Sequence, residues 1–262
     1  MLRTKLVKGL FLSVAVIQFI ISPCKAQYWM ARRFEATIGA GTTSFFSDIG
    51  GYSSGDNMLG FKDLFHVQPR YNYNLSFKYR ISKKITGRIS FTGGLLYAND
   101  LNGVHSDRGF ECLVSVKEPS LIGEFYLIRN KSENSFLFDM GKKNLFKRIN
   151  RALDLYIFSG AGGIIYSIDG NEKLLAVLKS RNGSAMIFPA GIGTSFLLTP
   201  GLDLGIEFSG RYTFSDFVDG YHSAYSESND IYYTMNISLI YKIKNLVIRS
   251  HSLKLKGEMR IL

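Results

Sequence analysis

The chain has 262 residues, 20% of them charged and 14% aromatic, with a formal charge of +11. Its two cysteines include one, Cys24, inside an N-terminal leader, so a disulfide framework within the exported chain is excluded. The basic balance would suit nucleic acid, but an exported chain rarely meets it, and where the charge sits says more than its sum.

Arg3, Lys5 and Lys8 precede an apolar run of 14 residues, Gly9 to Ser22, and Pro23-Cys24-Lys25-Ala26 then offers a small-residue cleavage site. This is the pattern of an export signal over residues 1–26, cleaved after Ala26. Pro23 directly before Cys24 fits a lipidation site poorly. The apolar run is shorter than the roughly 20 residues that a bilayer-spanning helix needs, and no other segment is long enough. The expectation is a membrane crossing by strands.

Residues 27–243 read as one domain of eight strand candidates in which apolar and polar residues alternate with the period of two that a strand imposes. Phe34 to Phe46 puts Phe34, Ala36, Ile38 and Ala40 on one face. Arg70 to Ile81 is the clearest, with Tyr71, Tyr73, Leu75, Phe77, Tyr79 and Ile81 against Asn72, Asn74, Ser76, Lys78 and Arg80. Ile85 to Tyr97 sets Ile85, Ile89, Phe91 and Leu95 against Thr86, Arg88, Ser90 and Thr92. In Cys112 to Ile128, Leu121, Phe125 and Leu127 alternate with Ser120, Ile122 and Glu124, and Pro119 is expected to bulge the strand because it has no N–H to give the ladder. Leu153 to Tyr166 and Ile187 to Leu198 are Gly-rich and ambiguous in facing. Leu202 to Ser215 and Ile231 to Ile243 are clean again. The expected fold is all-β, an eight-stranded antiparallel up-and-down transmembrane barrel, apolar outside and polar inside.

The connections fit one orientation. Ser82-Lys83-Lys84 and Thr199-Pro200-Gly201 are tight, as periplasmic turns are, while the links at 47–69, 98–111, 167–186 and 216–230 are long and external. Residues 129–151 form a long periplasmic link with seven cations against Glu133 and Asp139, and 144–153 reads as a short amphipathic basic helix. The tail 244–262 has five cations against Glu258. Nine of the eleven surplus charges fall in these two segments. Lys142, Lys143, Lys147 and Arg148 are therefore the candidate docking residues for a periplasmic or lipoprotein partner or an anionic surface.

Arg88, Glu118, Glu124, Glu207 and Arg211 are expected to face inward. Eight strands leave an interior just wide enough for side chains, and buried charges must pair, so these five form a candidate salt-bridged plug. No catalytic set stands out: His66, His105, His222 and His251 are scattered, and His105-Ser106-Asp107 and Asp219 with His222 are loop neighbours rather than a convergent constellation. No metal or cofactor motif is present, and no cofactor is expected.

Several segments occur in order: Phe45-Phe46-Ser47-Asp48-Ile49-Gly50-Gly51, EPSLIGEFY from Glu118, LYIFSGAGG from Leu155, Pro189 to Gly193, GIEFSGRYTFSDFVDG from Gly205, and Asn229 to Tyr233. Together they resemble the outer-membrane β-barrel family of Bacteroidetes that includes PorG-like components of the type IX secretion system. The run Arg211 to Asp219 is similar to that family's R-Y-T-x-T-D-Y-L-D motif and departs from it at Ser215, Phe217 and Val218. The resemblance implies a non-enzymatic structural or docking barrel in the outer membrane, surrounded by its lipids. The competing readings are a small-solute pore or transporter and, third, an outer-membrane enzyme.

Overall fold

The computed structural model describes residues 32–50, 68–101, 106–130, 152–178, 180–221 and 229–244. The export signal and all four histidines lie outside them, as do Lys142, Lys143, Lys147 and Arg148 and the candidate helix at 144–153 except its last two residues, of which Leu153 opens a strand instead. Eight strands, β1 (Phe34–Phe46), β2 (Arg70–Arg80), β3 (Ile85–Asn99), β4 (Glu111–Ile128), β5 (Leu153–Gly170), β6 (Asn182–Thr199), β7 (Leu202–Thr213) and β8 (Ile231–Ile243), follow one another around a closed barrel. Every neighbour is antiparallel, and β1 closes on β8 from Phe34↔Ile243 to Phe46↔Ile231. The fold is the all-β, eight-stranded up-and-down barrel.

The alternation decides which way each strand faces. Ile38, Leu75, Phe77, Ile89, Leu121, Ile157, Ile165, Ile192, Ile237 and Leu239 stand exposed on the outer wall. Rings gather near both rims: Tyr79, Phe125 and Tyr241 at the end with the tight turns, and Tyr71, Phe188, Tyr212 and Phe214 at the end with the long loops. The inner wall buries Glu35, Lys78, Arg80, Arg88, Glu118, Glu124 and Arg211. Apolar outside and charged inside is the reverse of a water-soluble protein, and it is the surface of a transmembrane barrel. Among the described residues no helix is long and apolar enough to cross a membrane.

Two expectations change. The interior is polar only in part: towards the loop end Leu96, Cys112, Val114, Val116, Ile164, Ile168 and Ile187 pack into an apolar core. Pro119 does not bulge β4. The β4–β5 ladder is interrupted there, but Lys117↔Ile165 and Ser120↔Gly162 keep one register on either side of the gap. The register shift in this ladder lies instead between Tyr126 and Ile128. Pro189 interrupts the β5–β6 ladder in the same way. A missing donor weakens pairing locally without forcing an extra residue into the strand.

The wall is uneven in height. β3 has 15 residues and β4, β5 and β6 have 18 each, against 13, 11, 12 and 13 in β1, β2, β7 and β8. Strand therefore occupies much of the expected external link 167–186, leaving a one-turn helix α1 (Glu172–Leu175). Asn171 caps it, accepting from Leu174 N–H and donating to the carbonyl of Gly109.

Rings lie directly opposite bare backbone across several ladders. Tyr73 faces Gly93, Tyr156 faces Gly193, Phe158 faces Gly191, Tyr166 faces Gly183 and Tyr233 faces Gly210. At Gly160, opposite Ile122, a side chain would collide with the carbonyl oxygen of Leu121, because β4 and β5 approach closely there. Gly123, on the outer wall, has no neighbour nearer than 3.9 Å to such a group. Gly160→Ala is expected to destabilise the barrel by about 1–3 kcal/mol. Gly123→Ala should stay within about 0.5 kcal/mol of the parent. Urea midpoints followed by heat-modifiable gel migration check both.

Candidate functional site

Three ionic tiers stack inside the barrel. At the turn end, Arg80 Nη2 contacts Glu35 Oε1 at 2.8 Å and Lys242 Nζ contacts Asp203 Oδ2 at 2.7 Å. Asp154 Oδ1 accepts the backbone N–H of Asn130 at 2.5 Å, which ties the start of the long link to the inner wall.

The middle tier is a square of two cations and two carboxylates. Arg88 Nη1 lies 2.6 Å from Glu207 Oε1 and 3.2 Å from Glu124 Oε1. Lys78 Nζ lies 2.8 Å from Glu124 and 3.8 Å from Glu207. Tyr156 donates to Glu207 at 2.6 Å and Tyr126 to Glu124 at 3.1 Å. These rings, with Phe158 and Ile122, form an apolar wall that keeps the charges together. Arg88 also lies over the ring of Phe158 at 4.8 Å.

The third tier is centred on Arg211. Its Nε donates to Glu118 Oε2 at 2.8 Å, and Nη1 donates to the hydroxyls of Ser209 and Thr234. Tyr232 donates to the same carboxylate oxygen at 2.9 Å. Thus Arg88, Glu124 and Glu207 meet in one cluster and Arg211 and Glu118 in another. Reading one strand at a time missed Lys78, Arg80, Glu35, Lys242 and Asp203. Lys78 and Arg80 were already visible on the polar face of their strand, but which carboxylate each meets depends on the register between distant strands. Tyr126, Tyr156 and Tyr232 were missed as partners of these carboxylates; parity along β4 and β8 turns Tyr126 and Tyr232 inward, while β5 is ambiguous in facing from its sequence.

Above the third tier comes the apolar core, and above that a carboxylate-tied cap. Ile49 N–H donates to Asp219 Oδ2 at 3.2 Å, and Tyr221 N–H donates to Asp219 Oδ1 at 2.8 Å. Val218 N–H donates to Asp230 Oδ2 at 2.9 Å. Asp100 accepts from the N–H groups of Gly50 and Phe110 and is gripped by Arg108 at 2.8 and 2.9 Å. Arg108 also reaches the carbonyl of Asp48 and lies over the rings of Phe110 and Tyr221. Gly50 sits at φ +82° against the carbonyl of Asn99, so only glycine fits this tie without strain. Ile49 and Val218 close the top of the apolar core.

The cap carboxylates differ in charge habit. Burial alone would raise the pKa of Asp100, but Arg108 and the two N–H donors hold it below the ordinary range. At Asp219 burial, with Asp48 nearby, outweighs the N–H donors and pushes the carboxyl up to about 7. Burial and the proximity of Asp219 push Asp230 up as well. Among the described residues no group of three or more histidine, cysteine, aspartate or glutamate side chains is placed to hold a metal ion. His105 and His222, the loop neighbours of Ser106, Asp107 and Asp219, lie outside the described residues.

A family model described as a domain of unknown function, DUF6089, matches residues 15–245, and the chain belongs to that family. No curated protein matches it. Among solved structures the chain is similar to Neisserial surface protein A, at 11% identity over 80% of this chain and 97% of that one, with a TM-score of 0.45. It is similar to Ail, the attachment invasion locus protein of Yersinia pestis, at 13% identity over 82% and 100%, with a TM-score of 0.44. It is also similar to the outer membrane protein OprG from Pseudomonas aeruginosa, at 11% identity over 82% and 98%, with a TM-score of 0.40. Likeness at such identities concerns the barrel alone, and a role has to be argued from this chain's own residues.

Arg211→Ala leaves Glu118 buried without its cation, and a loss of about 3–5 kcal/mol is expected from equilibrium unfolding. The double change Arg211→Met with Glu118→Leu should recover most of it, since no lone charge then remains.

Asp219 generates a pH prediction at the loop end. Its folded pKa is raised, so between about 4 and 7 the unfolded loop holds fewer protons than the folded one, and the cap loses stability as pH rises through that window. After correction for intrinsic exchange chemistry, the amides of Ile49 and Tyr221 should be better protected at pH 5 than at pH 8. Asp219→Asn should flatten the difference.

Proposed function

We propose that this DUF6089 member is an exported, non-enzymatic outer-membrane barrel that serves as a structural or docking component of an envelope assembly, and that the assembly is of the type IX, PorG-like protein secretion kind. The observation that carries the reading is the filled interior. Three ionic tiers and an apolar core occupy the space within eight strands. A solute passing through would have to separate Arg211 from Glu118 and Arg88 from Glu207 in turn, each separation costing several kcal/mol. That weighs against a pore and puts the work of the protein on its outer wall and its two ends.

The ends differ in chemistry. At the loop end the carboxylates of Asp100, Asp219 and Asp230 are engaged in holding backbone N–H groups, which favours a structural role over a catalytic one. The turn end presents Lys83, Lys84 and Arg129 and leads into the basic link and tail. An exported chain begins in the periplasm, so the turn end faces inward on this reading, and the cations meet a periplasmic or lipoprotein partner with an acidic face. Attraction between such surfaces acts over about 8 Å at physiological ionic strength.

Charge reversal tests the proposal. Replacing Lys142, Lys143, Lys147 and Arg148 by Glu should leave a barrel that inserts and shows heat-modifiable migration. The same change should release a cross-linked periplasmic or lipoprotein partner in pull-downs from membranes, and should impair type IX secretion. Full retention of every partner, with normal secretion, would overturn the docking role.

A further inference from the structure

The outer wall across β2, β3 and β4 carries a depression of about 460 Å³ lined by Phe77, Tyr79, Gly87, Ile89, Leu121 and Gly123. Its floor is bare backbone, because Gly87 faces Tyr79 across one ladder and Gly123 across the next. Neither glycine is demanded by the barrel's own packing. A methyl group at Gly87 would meet nothing nearer than Ile81 Cδ1 at 3.6 Å, and one at Gly123 nothing nearer than the carbonyl oxygen of Ser159 at 3.9 Å. Glycine is a poor strand residue, so the hollow is kept at some cost to the wall. Its volume falls within the roughly 300–1,000 Å³ of pockets that hold small ligands.

The rim supplies the second half of a site. Two residues towards the turn end, about 7 Å along the strands, lies the row of Ile85 and Phe125. Lys83 and Lys84 stand exposed just beyond it. Lys84 Nζ lies 6.0 Å from the centre of the Phe125 ring. Arg129 donates to the carbonyl of Lys83 at 2.8 Å and lies over the inward-facing ring of Tyr126 at 3.9 Å, which ties this turn to the end of β4. Arg33 donates to the Tyr79 hydroxyl at 3.2 Å, on the lip of the groove. Among the described residues the carboxylates at this end, Glu35, Glu124, Asp154 and Asp203, are buried within the barrel.

An apolar groove in a wall that faces hydrocarbon, with cations at the level where headgroups lie, matches one molecule at both its ends. We infer that the groove seats an acyl chain of an anionic phospholipid from the turn-end leaflet, with the phosphate over Lys83 and Lys84. The chain gains close contacts with Phe77, Ile89 and Leu121 that a flat wall would not offer. The cations select charge and hold the headgroup in place. The inference rests on the transmembrane reading of the barrel and is independent of any role in secretion.

The test uses the full chain purified in mild detergent, checked for heat-modifiable migration, and equilibrated with dioleoyl phosphatidylglycerol or dioleoyl phosphatidylcholine. Native mass spectrometry reads the bound lipid. The parent should retain one phosphatidylglycerol more tightly than phosphatidylcholine. Gly87→Leu with Gly123→Leu should lower that retention at least tenfold. Gly163→Leu, at another outer-wall glycine with room for a side chain, should not. Lys83→Glu with Lys84→Glu should weaken phosphatidylglycerol roughly fivefold per lysine and leave phosphatidylcholine unchanged. The inference is overturned if the parent does not prefer phosphatidylglycerol, if the filled groove retains it fully, or if a second copy of the chain occupies the site. Should the filled variant not migrate as a barrel, the lysine pair, which stands in the turn outside the wall, decides by itself. A parent chain that shows no heat-modifiable migration would instead sink the transmembrane reading.

Discussion

A closed wall of eight strands leaves inside it little more than the width of its own side chains, and any charge that faces in must meet its opposite there. The rest of the structure depends on that constraint. Lys78 and Arg88 share Glu124 and Glu207 from four different strands, and Arg211 reaches across from β7 to Glu118 on β4. Apart from Arg88 with Glu124 on neighbouring β3 and β4, these pairs tie strands that share no ladder. The barrel is thus braced across its bore as well as around its circumference.

The interior is built of two materials in series. Ionic tiers fill the turn-end half, and an apolar core sealed by Ile49 and Val218 fills the loop-end half. The change falls where β3 to β6 rise above the other strands, so the apolar part sits inside the taller side of the wall. Asp219 and Asp100 then draw the ends of β1, β3 and β7 together over that core. Charges inside the span are matched by charges, while the projecting part is closed like a small water-soluble domain.

Alternation alone makes the barrel legible in the sequence. β8 begins and ends where its pattern does, and the outward faces of β2, β3 and β7 follow directly from theirs. Inward charge was legible residue by residue, as at Arg88 and Glu207. The partner of each was not, because Arg88 on β3 and Glu207 on β7 meet across the bore and not by any local spacing. The apolar core was hidden for a different reason. Along Cys112, Val114 and Val116 the alternation is inverted, apolar residues facing in while Ser115 and Lys117 face out, so the lipid-facing pattern of the other strands does not apply there. Pro119 misled because a missing donor and an extra residue look alike from one strand. The segments that carry the family resemblance include Glu118, Glu124, Arg211, Asp219 and Tyr232, residues that brace the bore or tie the cap.

The rings that lie across bare glycines bear on how the barrel is assembled. Strand pairs can slide by two residues without turning any side chain to the wrong face, so facing alone does not guard against that error. Here it is guarded by shape. Slid by two, Tyr73 would land on Phe91 or Leu95 in place of Gly93, and Tyr233 on Phe208 or Tyr212 in place of Gly210. Each ring works as a key cut for one notch in the neighbouring strand. A growing sheet that accepts its next strand only when key and notch coincide checks its own alignment at every addition, well before the last strand arrives to close it.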